Sequence, residues 1–101
     1  MIKLIAGDLD DTLLRPDGTL SARTVSALQA AMAAGAYVTF CTGRMIEATR
    51  PYADQARLNA PVICYNGALI YDLSTKKEIL NAGITAETAR EALRLAEELG
   101  L

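Results

Sequence analysis

Ile2, Leu4, Ile5 and Ala6 make an apolar run that ends, after Gly7, at two carboxylates, Asp8 and Asp10, with one leucine between them and a hydroxyl at Thr12. The run is too uniformly apolar for a strand with one wet face, so it predicts a strand buried on both faces in a parallel sheet. A parallel strand commits the chain to crossover connections and hence to an α/β architecture, in which ligands bind outside the carboxyl ends of the strands. Two like charges leaving a buried strand side by side are costly unless a cation or a partner compensates them. A hard divalent cation such as Mg²⁺ would do so, since it takes oxygen ligands and needs few protein carboxylates.

The rest of the chain alternates in the same way, with no internal repeat and no low-complexity linker. Arg15-Pro16-Asp17-Gly18 is a turn cluster. Ser21 caps a helix whose staple positions are Leu20 and Val25, whose buried stripe is Val25, Leu28 and Met32, and which Gly35 ends. Tyr37 to Cys41 reads as a second strand that delivers Thr42 at its end. A helix over about Met45 to Leu58 contains Pro51, which is expected to kink or restart it. Pro61 to Tyr65 is a third strand, and residues 68–72 and 77–81 alternate around Ser74-Thr75-Lys76 as a hairpin. Strand, helix, strand, helix, strand implies right-handed crossovers and a Rossmann-like three-layer α/β/α fold. From Thr85 to Leu99 a helix carries Ala89, Leu93 and Ala96 on one face, with Gly100 placed to stop it.

Taken singly, these signals stay open. Asp10 and Asp11 also read as a solvated turn, and Thr42-Gly43-Arg44 as an ordinary strand-to-helix turn with Thr42 as the cap. Asn66-Gly67 between apolar runs is a hairpin signal in its own right. A calcium loop of the EF-hand type fits acids at 8 and 10 but fails later, where the required glycine is Leu13 and the terminal glutamate is Thr19.

Composition narrows the chemistry. The chain has no His and no Trp, so no histidine-based triad, histidine zinc site or indole platform is available. Cys41 and Cys64 lack C-x-x-C spacing and read as small buried hydrophobes. The net charge of −2 offers no basic stripe for nucleic acid, and the first apolar run is too short for a signal peptide or a membrane span. A soluble, cytoplasmic protein is expected. No G-x-G-x-x-G or Walker pattern occurs, so neither a dinucleotide nor a P-loop nucleotide site is supported.

Asp8-Leu9-Asp10-Asp11-Thr12 resembles the first signature, D-x-D-x-T, of the haloacid dehalogenase-like superfamily. Thr42-Gly43-Arg44 is similar to its second signature, and Tyr65-Asn66-Gly67-Ala68-Leu69-Ile70 to the turn of its Cof-type branch, which carries a type IIB cap. The three matches run in family order and span the chain. The resemblance implies a Mg²⁺-dependent phosphatase working through an aspartyl-phosphate on a small phosphorylated metabolite. Asp8 would be the nucleophile, and Asp10 the acid and base, with a pKa raised by its charged neighbour. The Asp8 carboxylate and the Asp10 main-chain carbonyl would hold the metal, and Thr12 would fix the turn. Thr42, Gly43, Arg44, Asn66 and Gly67 would bind phosphate or substrate.

The resemblance also implies that residues 1–82 are a partial catalytic core and 83–101 the start of a cap, the other reading of 83–101 being a helix packed on the sheet. The family's later lysine and its later acidic residues have no counterpart here. Each missing electrostatic contact of that kind costs on the order of 10²–10³ in rate, so the chain alone is expected to be a weak phosphatase at best. Two other functions stand beside it: a non-catalytic phosphate-binding or metal-binding fragment with a regulatory role, and a phosphoacceptor domain. The last is disfavoured because Asp8 and Asp10 share one strand. A homodimer covering an exposed edge and the last helix is expected for so small a core.

Overall fold

A computed structural model describes residues 1–101. Its elements run β1 (Leu4–Gly7), α1 (Ala22–Ala33), β2 (Tyr37–Phe40), α2 (Ile46–Ala56), β3 (Val62–Cys64), β4 (Leu69–Asp72), β5 (Lys77–Asn81) and α3 (Ala86–Glu98). β1 and β2 pair in parallel, with Gly7 opposite Phe40, while β3, β4 and β5 form an antiparallel meander. A parallel bridge between Cys41 and Ile63 joins the two sheets at one rim. The fold is therefore mixed α/β, with a parallel part that carries the first two crossovers.

The join is limited to that rim for a local reason. Along the earlier part of β2, the Asn59 side chain takes the place of a neighbouring strand: its Oδ1 accepts the Val38 N–H at 2.8 Å and its Nδ2 donates to the Ala36 carbonyl at 3.0 Å. Both backbone groups are thereby satisfied without a ladder.

The core gathers Leu9, Leu28, Val38, Phe40, Ala53 and Val62 with their neighbours, where α1 and α2 pack on each other and α1 on β2. Ser21 caps α1 as its sequence predicts, its Oγ accepting the Thr24 N–H at 3.1 Å. α2 runs through Pro51 as one helix, so of the expected kink or restart the restart does not occur; the proline leaves the turn before it without one amide donor. The hairpin of β4 and β5 lies where the alternation places it.

Three expectations are corrected. β1 is an edge strand: Leu4 is 59% exposed and its partner Tyr37 is also exposed, while Ile5 and Gly7 on the alternate positions are half-buried. The apolar run predicts burial on both faces, but one edge and one face of β1 have no covering element within these residues. Cys41 is exposed, because it lies past the end of β2, whereas Cys64 inside β3 is fully buried. α3 does not dock on the sheet: none of its residues is buried, and Leu93, Leu95 and Leu99 are exposed. Its solvent side is laced by Arg94, which pairs with Glu91 and Glu98. No helix is long and apolar enough to cross a membrane.

The cysteines yield a direct check. Burial pushes the Cys64 thiol above its ordinary pKa, so it stays protonated and inaccessible at pH 8. A colorimetric thiol reagent is expected to label one thiol per native chain promptly, at Cys41, and two only after denaturation. Prompt labelling of both in the native protein would contradict the burial of β3.

Candidate active site

The chain leaves β1 through Gly7 into a tight turn over Leu9–Leu13, closed by the Leu13 N–H donating to the Asp8 carbonyl (3.3 Å) and the Leu14 N–H donating to the Leu9 carbonyl (2.9 Å). A Cβ at position 7 would stand 2.8 Å from Leu13 Cδ1, so glycine lets Leu13 close over the turn and any larger residue would require that side chain to shift. Leu9 is wholly buried and acts as the anchor. With one side chain fixed inward, the acids on either side face outward: Asp8 and Asp10 are both exposed. One Asp8 oxygen, Oδ1, accepts the Leu9 N–H at 2.8 Å. Thr12 lies in the turn and is exposed, and the bonds that close the turn are backbone ones.

The ladder then brings the second segment alongside. The Cys41 N–H donates to the Gly7 carbonyl at 2.9 Å, which places Thr42 at the same rim as Asp8. Thr42 is 4% exposed; its N–H donates to the Ile63 carbonyl and its Oγ1 accepts the Arg44 N–H at 3.1 Å, a contact that leaves the hydroxyl proton unspent. The third segment closes on the second: the Asn66 N–H donates to the Thr42 carbonyl (3.0 Å) and the Tyr65 N–H to the Arg44 carbonyl (3.1 Å). The Asn66 amide lies over Gly43, where a Cβ would be 3.1 Å from its Oδ1. Tyr65, Asn66 and Gly67 all have left-handed φ, so the turn presents their backbone at the rim before β4 begins. The fold thus assembles Thr42, Gly43, Arg44, Asn66 and Gly67 into one cluster beside the Asp8 turn.

Arg44 carries the strongest contact at the site. Its Nε donates to Asp10 Oδ2 and its Nη2 to Asp10 Oδ1, each at 2.7 Å, a bidentate pair of the kind a guanidinium makes with a carboxylate. The pair reverses one expectation. The Arg44 hydrogen bonds, aided by its charge, hold the Asp10 carboxyl below its ordinary value rather than above it, and the same contact raises Arg44. A depressed folded value means the pairing favours the fold above the ordinary carboxylate pKa, and that contribution disappears as pH falls through the lowered one.

Two further residues escape the motifs. Tyr52 stacks under the Arg44 guanidinium, 5.3 Å from ring centroid to Cζ, and its hydroxyl donates to the Gly18 carbonyl at 2.7 Å. Gln55 Nε2 donates to the Leu20 carbonyl at 3.2 Å. The two stand three apart on one helix face, which is the only sequence signal that pairs them. Between the start of α2, the Tyr65–Gly67 turn and the β4–β5 hairpin lies an open cavity of about 400 Å³, lined by Ile46, Glu47, Tyr65, Leu69, Glu78 and Asn81 among others.

Asp8 and Asp10 stand as a pair, and no group of three or more metal-ligating side chains surrounds them. The donors nevertheless fit Mg²⁺: hard oxygens, one carboxylate oxygen of Asp8 engaged by a backbone amide and the other not, and a rim open to water. That cation commonly takes one or two protein carboxylates and fills its remaining positions with water and phosphate oxygens.

The sequence model of the haloacid dehalogenase-like hydrolases matches residues 5–101. A Streptococcus pyogenes protein named as a phosphatase is 36% identical over 103 residues, covering 99% of this chain and 38% of its own length. Pyridoxal phosphate phosphatase YbhA of Escherichia coli is 40% identical over 74 residues, 73% of this chain and 27% of that protein. A haloacid dehalogenase-like hydrolase from Bacillus subtilis superposes with a TM-score of 0.83 at 30% identity, over 98% of this chain and 34% of its own. A second, from Bacteroides thetaiotaomicron, shares the fold with a TM-score of 0.90 at 24% identity, over 97% of this chain and 38% of its own. The chain spans 27–38% of the length of these two curated relatives.

Proposed function

From the premise that this chain belongs to the haloacid dehalogenase-like hydrolases, we propose that it carries the nucleophile half of a Mg²⁺-dependent phosphomonoesterase acting on a small phosphorylated metabolite in the cytoplasm. Residues 1–82 are the catalytic part in this scheme, and residues 83–101 begin a cap. The observation that carries the proposal is the exposed Asp8 carboxylate at the carboxyl end of β1, next to a rim of backbone amides and one guanidinium.

In the first displacement an Asp8 oxygen attacks phosphorus, the bond from phosphorus to the alcohol oxygen breaks, and Asp10 gives its proton to that leaving oxygen. In the second, water attacks the phosphorus of the aspartyl-phosphate, passes a proton to Asp10, and the bond to Asp8 breaks to release inorganic phosphate. The Thr42 hydroxyl and nearby amides stabilise the phosphoryl oxygens. Mg²⁺, held by the Asp8 carboxylate and the Asp10 main-chain carbonyl, would offset charge developing on those oxygens.

Asp10 must be protonated to act as the acid, yet Arg44 keeps it ionised. The two fit together if a phosphoryl dianion draws Arg44 away from Asp10, since phosphate also offers a pair of oxygens that a guanidinium can grip with both ends of its fork. The carboxyl then loses the cation that depresses its pKa. The cavity beside the Tyr65–Gly67 turn has room for the alcohol part of a substrate, and its carboxylates, Glu47 and Glu78, disfavour a second anionic group there.

Beryllofluoride, which bonds to an aspartate oxygen as a phosphoryl mimic, tests the proposal. Bound fluorine resonances that need Mg²⁺ are expected from the 101-residue chain. Their absence at millimolar beryllofluoride and Mg²⁺ would refute Asp8 as a phosphoryl acceptor. A second function, phosphate binding without turnover, is favoured by the closed Arg44–Asp10 pair. An adduct accompanied by no hydrolysis of p-nitrophenyl phosphate would select it.

A further inference from the structure

The residues after the Asp8 turn form a small flap, in which Leu14 bridges to Leu20 and the Arg15 N–H donates to the Thr19 carbonyl at 2.9 Å. Two α2 side chains fasten it: the Tyr52 hydroxyl on the Gly18 carbonyl and Gln55 on the Leu20 carbonyl. The same Tyr52 ring carries Arg44 on its face, and Arg44 grips Asp10 with both ends of its fork. One aromatic side chain therefore touches the flap with its hydroxyl and the site cation with its ring. A guanidinium on a long, rotamer-rich stem holds a bidentate pose at a half-open rim only if something restricts it, and an aromatic face does so while leaving every N–H free to donate.

We propose that Tyr52 is a positioning residue that holds Arg44 in register with Asp10 through its ring and fastens the flap to α2 through its hydroxyl. The chemical meaning of this role rests on the phosphatase function proposed above, because Arg44 and Asp10 are its reacting-site partners. The placement itself rests only on geometry. Neither contact follows from the family signatures, which include no residue of α2.

Hydrogen exchange followed by nuclear magnetic resonance on the intact 101-residue chain separates the two halves of the role. In Tyr52→Phe the ring remains, so the Arg44 Nε–H keeps its protection, while the flap amides of Arg15 and Gly18 exchange about tenfold faster, as the loss of one hydrogen bond allows. In Tyr52→Leu both the Arg44 Nε–H and the flap amides exchange faster. In both variants the Val38 and Phe40 amides of the core keep their protection, which a merely structural tyrosine would not allow. Should Tyr52→Leu fail to fold, Tyr52→Phe decides alone. Unchanged flap exchange in Tyr52→Phe, loss of Arg44 protection there, acceleration throughout the core, or an unmoved Arg44 Nε–H in a folded Tyr52→Leu would each overturn the proposal. No arm uses turnover, so a missing beryllofluoride adduct would end the phosphatase function and leave these outcomes readable.

Discussion

Asp8→Asn is expected to abolish the beryllofluoride adduct and to lower any Mg²⁺-dependent hydrolysis of p-nitrophenyl phosphate by about 10³-fold or more, the scale on which removal of a covalent nucleophile is felt. The substitution isolates chemistry from folding. Asp8 is exposed, and the one hydrogen bond of its side chain is acceptance of the Leu9 N–H by Oδ1, which an asparagine oxygen reproduces. The urea midpoint should therefore stay where it is while the adduct disappears. Retention of the wild-type rate would remove position 8 from the mechanism and point to a contaminating phosphatase. Even the unaltered chain is expected to turn over slowly, because the positive and acidic groups that complete such a site in the family have no counterpart among these residues.

Leu9→Ala is expected to cost about 2–5 kcal/mol in folding stability, the range for truncating a buried leucine when the surroundings only partly collapse. Leu9 is 0% exposed and lies between the two site acids. Only 16 of the 101 residues are buried, so the chain has few other anchors. A domain of this size has about 5–15 kcal/mol of stability in all, which makes the variant marginal or unfolded at 37 °C. Urea unfolding followed by circular dichroism reads the change. A loss below about 1 kcal/mol, within the scatter of exposed sites, would mean that Leu9 is not the inward anchor of the turn. The same variant should weaken the adduct, since Leu9 is the buried side chain that anchors the turn between Asp8 and Asp10.

Much of the architecture was legible because it follows from local rules. The Ser21 cap, the Asn66-Gly67 turn between the antiparallel β3 and β4, and the hairpin over residues 68–81 each depend on a few neighbours in the chain, and all three are present. The errors share a different origin. Leu4 and Cys41 are exposed although their segments are apolar, because burial depends on which elements lie alongside, and apolar composition reports only the capacity to be buried. Pro51 sits inside an unbroken helix because the packing of α2 outweighs one lost amide bond.

The site divides along the same line. Sequence alone determined the order of strands and helices and the convergence of Asp8, Thr42 and Asn66 on one rim, since parallel crossovers return every strand end to the same edge of the sheet. Tertiary structure alone decided the protonation and the restraint of that site. Asp10 meets Arg44, and Tyr52 meets Gly18, each across 34 residues of chain. Contacts at that separation are set by how helix and sheet dock, and no periodicity records them. The depressed pKa of Asp10, opposite in sign to what its acidic neighbour suggested, is the consequence: hydrogen bonds from a guanidinium 2.7 Å away, aided by its charge, hold the carboxyl down.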